Sequence, residues 1–114
     1  MPYYNKNIPV IIQDIARYNI WGQGVSEPYI AITNVPINEN NTVLYQKGVL
    51  KISPDNDYNC IKFNSDIDEY NLLLNSKKID LIGTCAINTF NGRIMAQLKI
   101  VDWKKAETTW EYDF

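Results

Sequence analysis

Two runs of alternating apolar and polar residues, Ile79 to Asn88 and Arg93 to Asp102, flank the segment Thr89-Phe90-Asn91-Gly92. Asn-Gly readily adopts the positive φ angles that a tight hairpin needs, and period-two alternation marks strands with one buried face. Leu81, Gly83, Cys85 and Ile87 share one side of the first run; Ile94, Ala96, Leu98 and Ile100 share one side of the second. This ribbon constrains the chain more than any other feature. One face goes inward and the other, half-polar, faces out, so the fold must supply an antiparallel sheet over a core.

The remainder fits that demand. Tyr29 to Ile37, Thr42 to Ser53 and Asn59 to Phe63 read as three further strands. The polar turns Asn38 to Asn41 and Pro54 to Asp57 join them, and a meander is the simplest path. Asp66 to Ser76 reads as a helix: Asp66 caps it, Glu69 stands at capping-box spacing, and Ile67, Tyr70, Leu73 and Leu74 lie on one face. Ile8 to Tyr18 predicts a second, amphipathic helix through Ile8, Ile11, Ile12, Ile15 and Tyr18, with Pro9 tolerated in its first turn. Gly22, Gly24 and Pro28 then mark a loop that sets this helix apart, leaving its apolar face in want of a partner.

Three strands, a helix and two strands is the order of the OB-fold, a five-stranded Greek-key β-barrel whose helix, between strands 3 and 4, plugs the open end. SH3-like barrels rank second, since they lack a full helix at that point. The chain divides into an N-terminal helix and linker (1–28), the all-β barrel (29–103) and a polar, aromatic tail (104–114).

Composition narrows the function. The 114 residues suit one domain, and the formal charge of −2 supplies no global field for polyanions, so nucleic-acid binding requires a local patch. With no histidine, Ser-His-Asp and Cys-His nucleophile systems and imidazole zinc sites are excluded. Cys60 and Cys85 form no CxxC pair and are read as reduced strand thiols. The first residues lack an apolar signal region and no long apolar run follows, which predicts a cytoplasmic protein with no membrane partner. Asn40-Asn41-Thr42 is read as a surface loop, not a glycosylation site.

Leu81-Ile82-Gly83, then Ile87-Asn88-Thr89-Phe90-Asn91-Gly92-Arg93, then Gln97-Leu98-Lys99-Ile100-Val101-Asp102, resembles the last barrel strands of the RecJ family of single-strand-specific DNA exonucleases. There the pattern is I-N-x-aromatic-x-G-R-x-x-x-Q-L followed by Asp, and every position is filled. Tyr18 to Tyr29 is similar to that family's P-F-G-x-G-N-P-E-P-x-F linker, with Ile20, Trp21, Val25 and Ser26 as departures and Tyr29 near the final Phe with the intervening residue missing. The resemblance spans residues 10 to 103 and implies the accessory OB-domain of such an enzyme. The Asp-His-His catalytic motifs are absent, so no catalysis is expected. Abundant Ile, Asn, Lys and Tyr suit a low-GC bacterium or phage, and repair, recombination or phage replication is the implied setting.

A single-strand binder needs cations near phosphates and flat side chains on which bases stack. The alternation puts Lys47 and Lys51 on one face of the second strand, Lys62 outward from the third, and Gln97 and Lys99 outward from the last. Phe90 and Arg93 at the hairpin tip are the candidates for stacking and phosphate contact. Against these stand ordinary roles: solvated edge lysines, Phe90 folded over the barrel end, Gln97 paired within the sheet. Asn91 and Gly92 are turn residues, Asn88 is expected to tie the turn through its side chain, and Asp102 is read as structural. Trp21 beside Gly22-Gln23-Gly24 is assigned to linker packing rather than to a dinucleotide site. Asp66, Asp68 and Glu69 suit a helix dipole, so no metal or cofactor is expected.

The leading expectation is therefore a single-stranded DNA-binding module, weak alone. The alternative is a docking module for a nuclease or replication protein, presented through the same face, the amphipathic first helix or the tail aromatics Trp103, Trp110, Tyr112 and Phe114, or a homodimer formed through the first helix. An independent enzyme ranks last.

Overall fold

Asn5 starts the first helix: its carbonyl accepts from Ile8 N and its Oδ1 from Asn7 N at 2.9 Å. That helix, α1, runs Ile8–Arg17 in a computed structural model that describes residues 1–17 and 28–106, the Phe90 side chain excepted. The linker reading, including Trp21 and Gly22-Gln23-Gly24, and the tail beyond Ala106 lie outside the described residues. The strands are β1 (Tyr29–Pro36), β2 (Thr42–Tyr45), β3 (Val49–Ile52), β4 (Tyr58–Lys62), β5 (Lys78–Phe90) and β6 (Arg93–Lys105), with α2 (Ile67–Ser76) between β4 and β5. They form one six-stranded sheet in the order β1-β5-β6-β4-β3-β2. Every pairing is antiparallel except β4 with β6.

Two sequence expectations are corrected here. The run Thr42 to Ser53 is two strands, not one: it reverses over Gln46–Gly48, where Lys47 and Gly48 have φ of 68° and 75°. Gly48 makes the reversal possible, because a Cβ there would stand 2.7 Å from the Ser65 carbonyl oxygen as well as sitting at positive φ. The meander is also replaced. β1 pairs with β5, and the turn Asn38 to Asn41 carries the chain from one sheet edge to the other. Asn38 Oδ1 accepts from Asn40 N and Asn41 N, while Asn41 Nδ2 donates to Pro36 O at 2.7 Å, so the turn satisfies its own backbone.

Since the outer strands β1 and β2 are joined by only residues 37–41, the sheet must curl until its edges come together. The hydrogen-bonded ladder stays open at that seam. Counting β1 and β2 as one bent run that serves both edges gives the five strands of an OB-like barrel. Tyr3 shows the curl directly: its N–H donates to Thr33 O on β1 (3.1 Å), and its carbonyl accepts from the Tyr58 hydroxyl on β4 (2.8 Å). Those strands are three steps apart in the sheet. Burial lifts the Tyr58 phenol far above its ordinary pKa, so it stays a neutral donor.

Ile32, Leu50, Ile52, Tyr58, Cys60, Ile79, Leu81 and Leu98 fill the interior. Ile8 and Ile12 of α1 and Leu73 of α2 are fully buried among them. The first helix is therefore not set apart: its apolar stripe finds its partner inside this chain, which removes the premise for a homodimer built on that face. Cys60 and Cys85 are both buried, and no disulfide joins them.

The N-cap is as expected, with Asp66 Oδ1 accepting from Glu69 N at 2.9 Å. Glu69 then ties the helix to the barrel, accepting from Lys62 Nζ at 3.1 Å and from Trp103 Nε1 at 2.8 Å. Burial alone would raise the Glu69 carboxyl, but the bonds from Trp103 and Lys62 outweigh it and hold the group below the usual carboxylate range. A lowered folded-state pKa stabilises the protein above the unfolded-state value, and this is lost as pH falls through the folded-state value. Glu69→Gln should therefore cost about 1–2 kcal/mol at neutral pH and flatten the acid limb of stability against pH. Urea melts of both proteins across the acid range check this.

The ribbon β5–β6 carries one irregularity. Ile82 pairs with Asp102 but Gly83 with Ile100, leaving Val101 as a bulge. Past the bulge the alternation inverts, so Trp103 packs against the core while Lys104 is exposed.

Candidate nucleic-acid interface

β1 accompanies β5 only as far as Thr84, and β4 accompanies β6 only from Ala96 onward. The end of the hairpin therefore stands beyond its neighbours as a two-stranded arm. Phe90 pairs with Arg93, and the turn is Asn91-Gly92 alone, with φ of 52° and 76°. Both turn residues take the positive φ expected of them, and the four-residue connection shortens to two. Ile94, on the face assigned to the interior, is exposed because the arm has no barrel beneath it.

Register builds a row across the outer face. Lys51 on β3 is opposite Ile61 on β4, and Ile61 is opposite Lys99 on β6. Two strand spacings put the lysine Cα atoms about 10 Å apart. In the next row Asn59 is opposite Gln97, whose Nε2 donates to Asn59 Oδ1 at 2.9 Å. Beyond it a pocket of about 320 Å³ opens between β3, β4 and the arm, lined by Lys51, Asn59, Asn88, Arg93, Ile94 and Met95. Lys51, Arg93 and Lys99 form no ion pair among the described residues; Arg93 and Lys99 are exposed and Lys51 is half-buried.

The candidate residues thus divide. Lys51, Arg93, Gln97 and Lys99 meet on one face. Lys62 does not point outward: it shares the inward side of β4 with Tyr58 and Cys60, and at the strand's end its ammonium closes onto Glu69. Lys47 sits in the β2–β3 turn beside Ser65, past the far end of β4 from the arm, so it shares no face with Lys51. Asn88 does not tie the turn; it lies in the ladder opposite Met95, its side chain exposed at the pocket rim. The Phe90 backbone is at the tip as expected, and its side chain lies outside the described residues. Asp102 Oδ1 accepts from Trp103 N at 2.8 Å, a local structural role. No cluster of metal-ligating side chains occurs among the described residues, and no helix there is long and apolar enough to cross a membrane.

Sequence reasoning passed over Asn59 and Met95. Asparagine is disfavoured in strands, so Asn59 within Tyr58-Asn59-Cys60-Ile61 was the available signal.

The family model of the RecJ OB domain matches residues 7–102. This chain belongs to that family. Among solved structures, it is similar to RecJ from Thermus thermophilus in complex with Mn2+, with a TM-score of 0.60 at 17% identity. The likeness supports the OB fold and covers 88% of this chain but 15% of that one, so the chain corresponds to a small part of that protein. No curated protein matches. The family match begins at residue 7, ahead of α1, which agrees with the burial of Ile8 and Ile12 in the barrel core. The RecJ OB domain described here is an accessory unit of its family.

Proposed function

We propose that this RecJ OB domain is a non-catalytic module that holds single-stranded DNA for a RecJ-type exonuclease in repair, recombination or phage replication. The observation that carries this reading is the set Lys51, Arg93 and Lys99, without ion-pair partners among the described residues, around the Asn59–Gln97 pair on a sheet face bordered by a projecting hairpin. Cations along a groove neutralise phosphates, and the loop between the last two strands is a frequent ligand rim in this fold. Three phosphate contacts on a chain of charge −2 are few. Affinity should accordingly be micromolar or weaker at physiological salt.

Fluorescence anisotropy at low salt tests this. A labelled single strand should bind more tightly than its duplex, and raising the salt should weaken binding. An unchanged signal at high protein concentration would remove DNA as the ligand and leave the docking alternative.

A further inference from the structure

Asn59 is 3% exposed, yet the donor end of its amide is held only by a thioether. Oδ1 accepts from Gln97 Nε2, which turns Nδ2 the other way, where its partner is the Met95 sulfur at 3.1 Å. A thioether is a weak acceptor, and a buried amide N–H2 normally finds oxygen. Asn59 and Met95 both line the pocket that Lys51 and Arg93 flank. A buried donor lacking a good acceptor therefore borders an open, cation-flanked cavity, covered by a side chain with three rotatable bonds and no strong preference for its place.

We propose that this pocket seats one base of a bound strand, with Met95 displaced and Asn59 Nδ2 donating to a base carbonyl oxygen. The proposal rests on the single-stranded DNA reading. Gln97 holds Oδ1 on its own side, so the polar atom that Asn59 presents toward Met95 and the pocket is the Nδ2 donor. That disfavours bidentate pairing to adenine, which needs a donor and an acceptor together and whose N7 acceptor lies beside an amino donor. Thymine, with carbonyl acceptors and no exocyclic amine, fits. Ile94 and the displaced Met95 supply apolar walls for the ring, and Lys51 and Arg93 lie where the flanking phosphates pass.

The test uses the full chain and three labelled strands of about ten nucleotides: a thymine homopolymer, an adenine homopolymer and a strand without bases. The thymine strand should bind about three- to tenfold more tightly than the adenine strand. Asn59→Leu should bring that ratio close to one and leave the baseless strand unaffected. Met95→Ala, which removes the cover without touching the Asn59–Gln97 pair, should raise thymine affinity and keeps the test open if the leucine variant does not fold. Equal binding of thymine and adenine strands by the native protein overturns the base pocket while the DNA reading stands, and so does a thymine preference that Asn59→Leu leaves intact. Failure to bind any of the three strands overturns the DNA reading itself, and the pocket with it.

Discussion

Gly83→Ala should lower stability by about 3 kcal/mol or more, at the upper end of what overpacking costs. An alanine Cβ at this position would lie 2.2 Å from Lys99 O, 2.8 Å from Lys99 C and 3.1 Å from Ile100 Cα. All three are backbone atoms of the partner strand, so no rotamer change relieves the contact. Relief requires β5 and β6 to separate at the bulge, and that ribbon carries Leu81, Ala96 and Leu98 of the core as well as the arm. In a domain of this size the melting temperature should fall by about 12–24 °C. Gly92→Ala provides the contrast. Its Cβ would meet nothing within 4 Å, so only the φ of +76° is at stake, and the loss should be about 1–2 kcal/mol. Thermal melts followed by circular dichroism separate the two costs, and equal melting of both variants would refute the close approach at Gly83.

Replacing Lys51, Arg93 and Lys99 together by glutamine should weaken binding of single-stranded DNA about a hundredfold at low salt. It should also nearly abolish the salt dependence. For single strands the slope of log affinity against log salt is about −0.7 per neutralised phosphate, so three contacts predict a slope near −2 for the native protein and near zero for the variant. Lys47→Gln is the control, because Lys47 lies at the other end of the barrel and its loss should leave the slope unchanged. A triple variant that retains the native slope would show that the strand lies elsewhere. None of the three side chains packs in the core, so the melting temperature should stay close to the native value.

What was legible in the sequence follows from how local each signal is. Asn91-Gly92 and the alternation around it describe a hairpin whose register depends on adjacent residues alone, and the pairing of Phe90 with Arg93 agrees. The Asp66 cap is equally local. Thr42 to Ser53 misled because alternation continues through a reversal, and only the packing of Gly48 on Ser65 shows that the chain turns there. Lys62 misled for a related reason. Its inward side is correct for a strand residue two places from Cys60, but a lysine is expected to seek solvent unless a carboxylate, here Glu69 from a helix seven residues away, meets it.

The sequence by itself determined the hairpin and the helix cap, because each depends on residue types at short, fixed spacings, and the hairpin motif pointed to the family. The tertiary structure alone decided which cations act together and which amide is left wanting. Lys51, Asn59, Arg93 and Lys99 come from three strands brought side by side by a curled sheet, and the parallel pairing of β4 with β6 sets their neighbours. No spacing along the chain encodes that pairing: it follows from burying one face of every strand, together with both helices, in a single core.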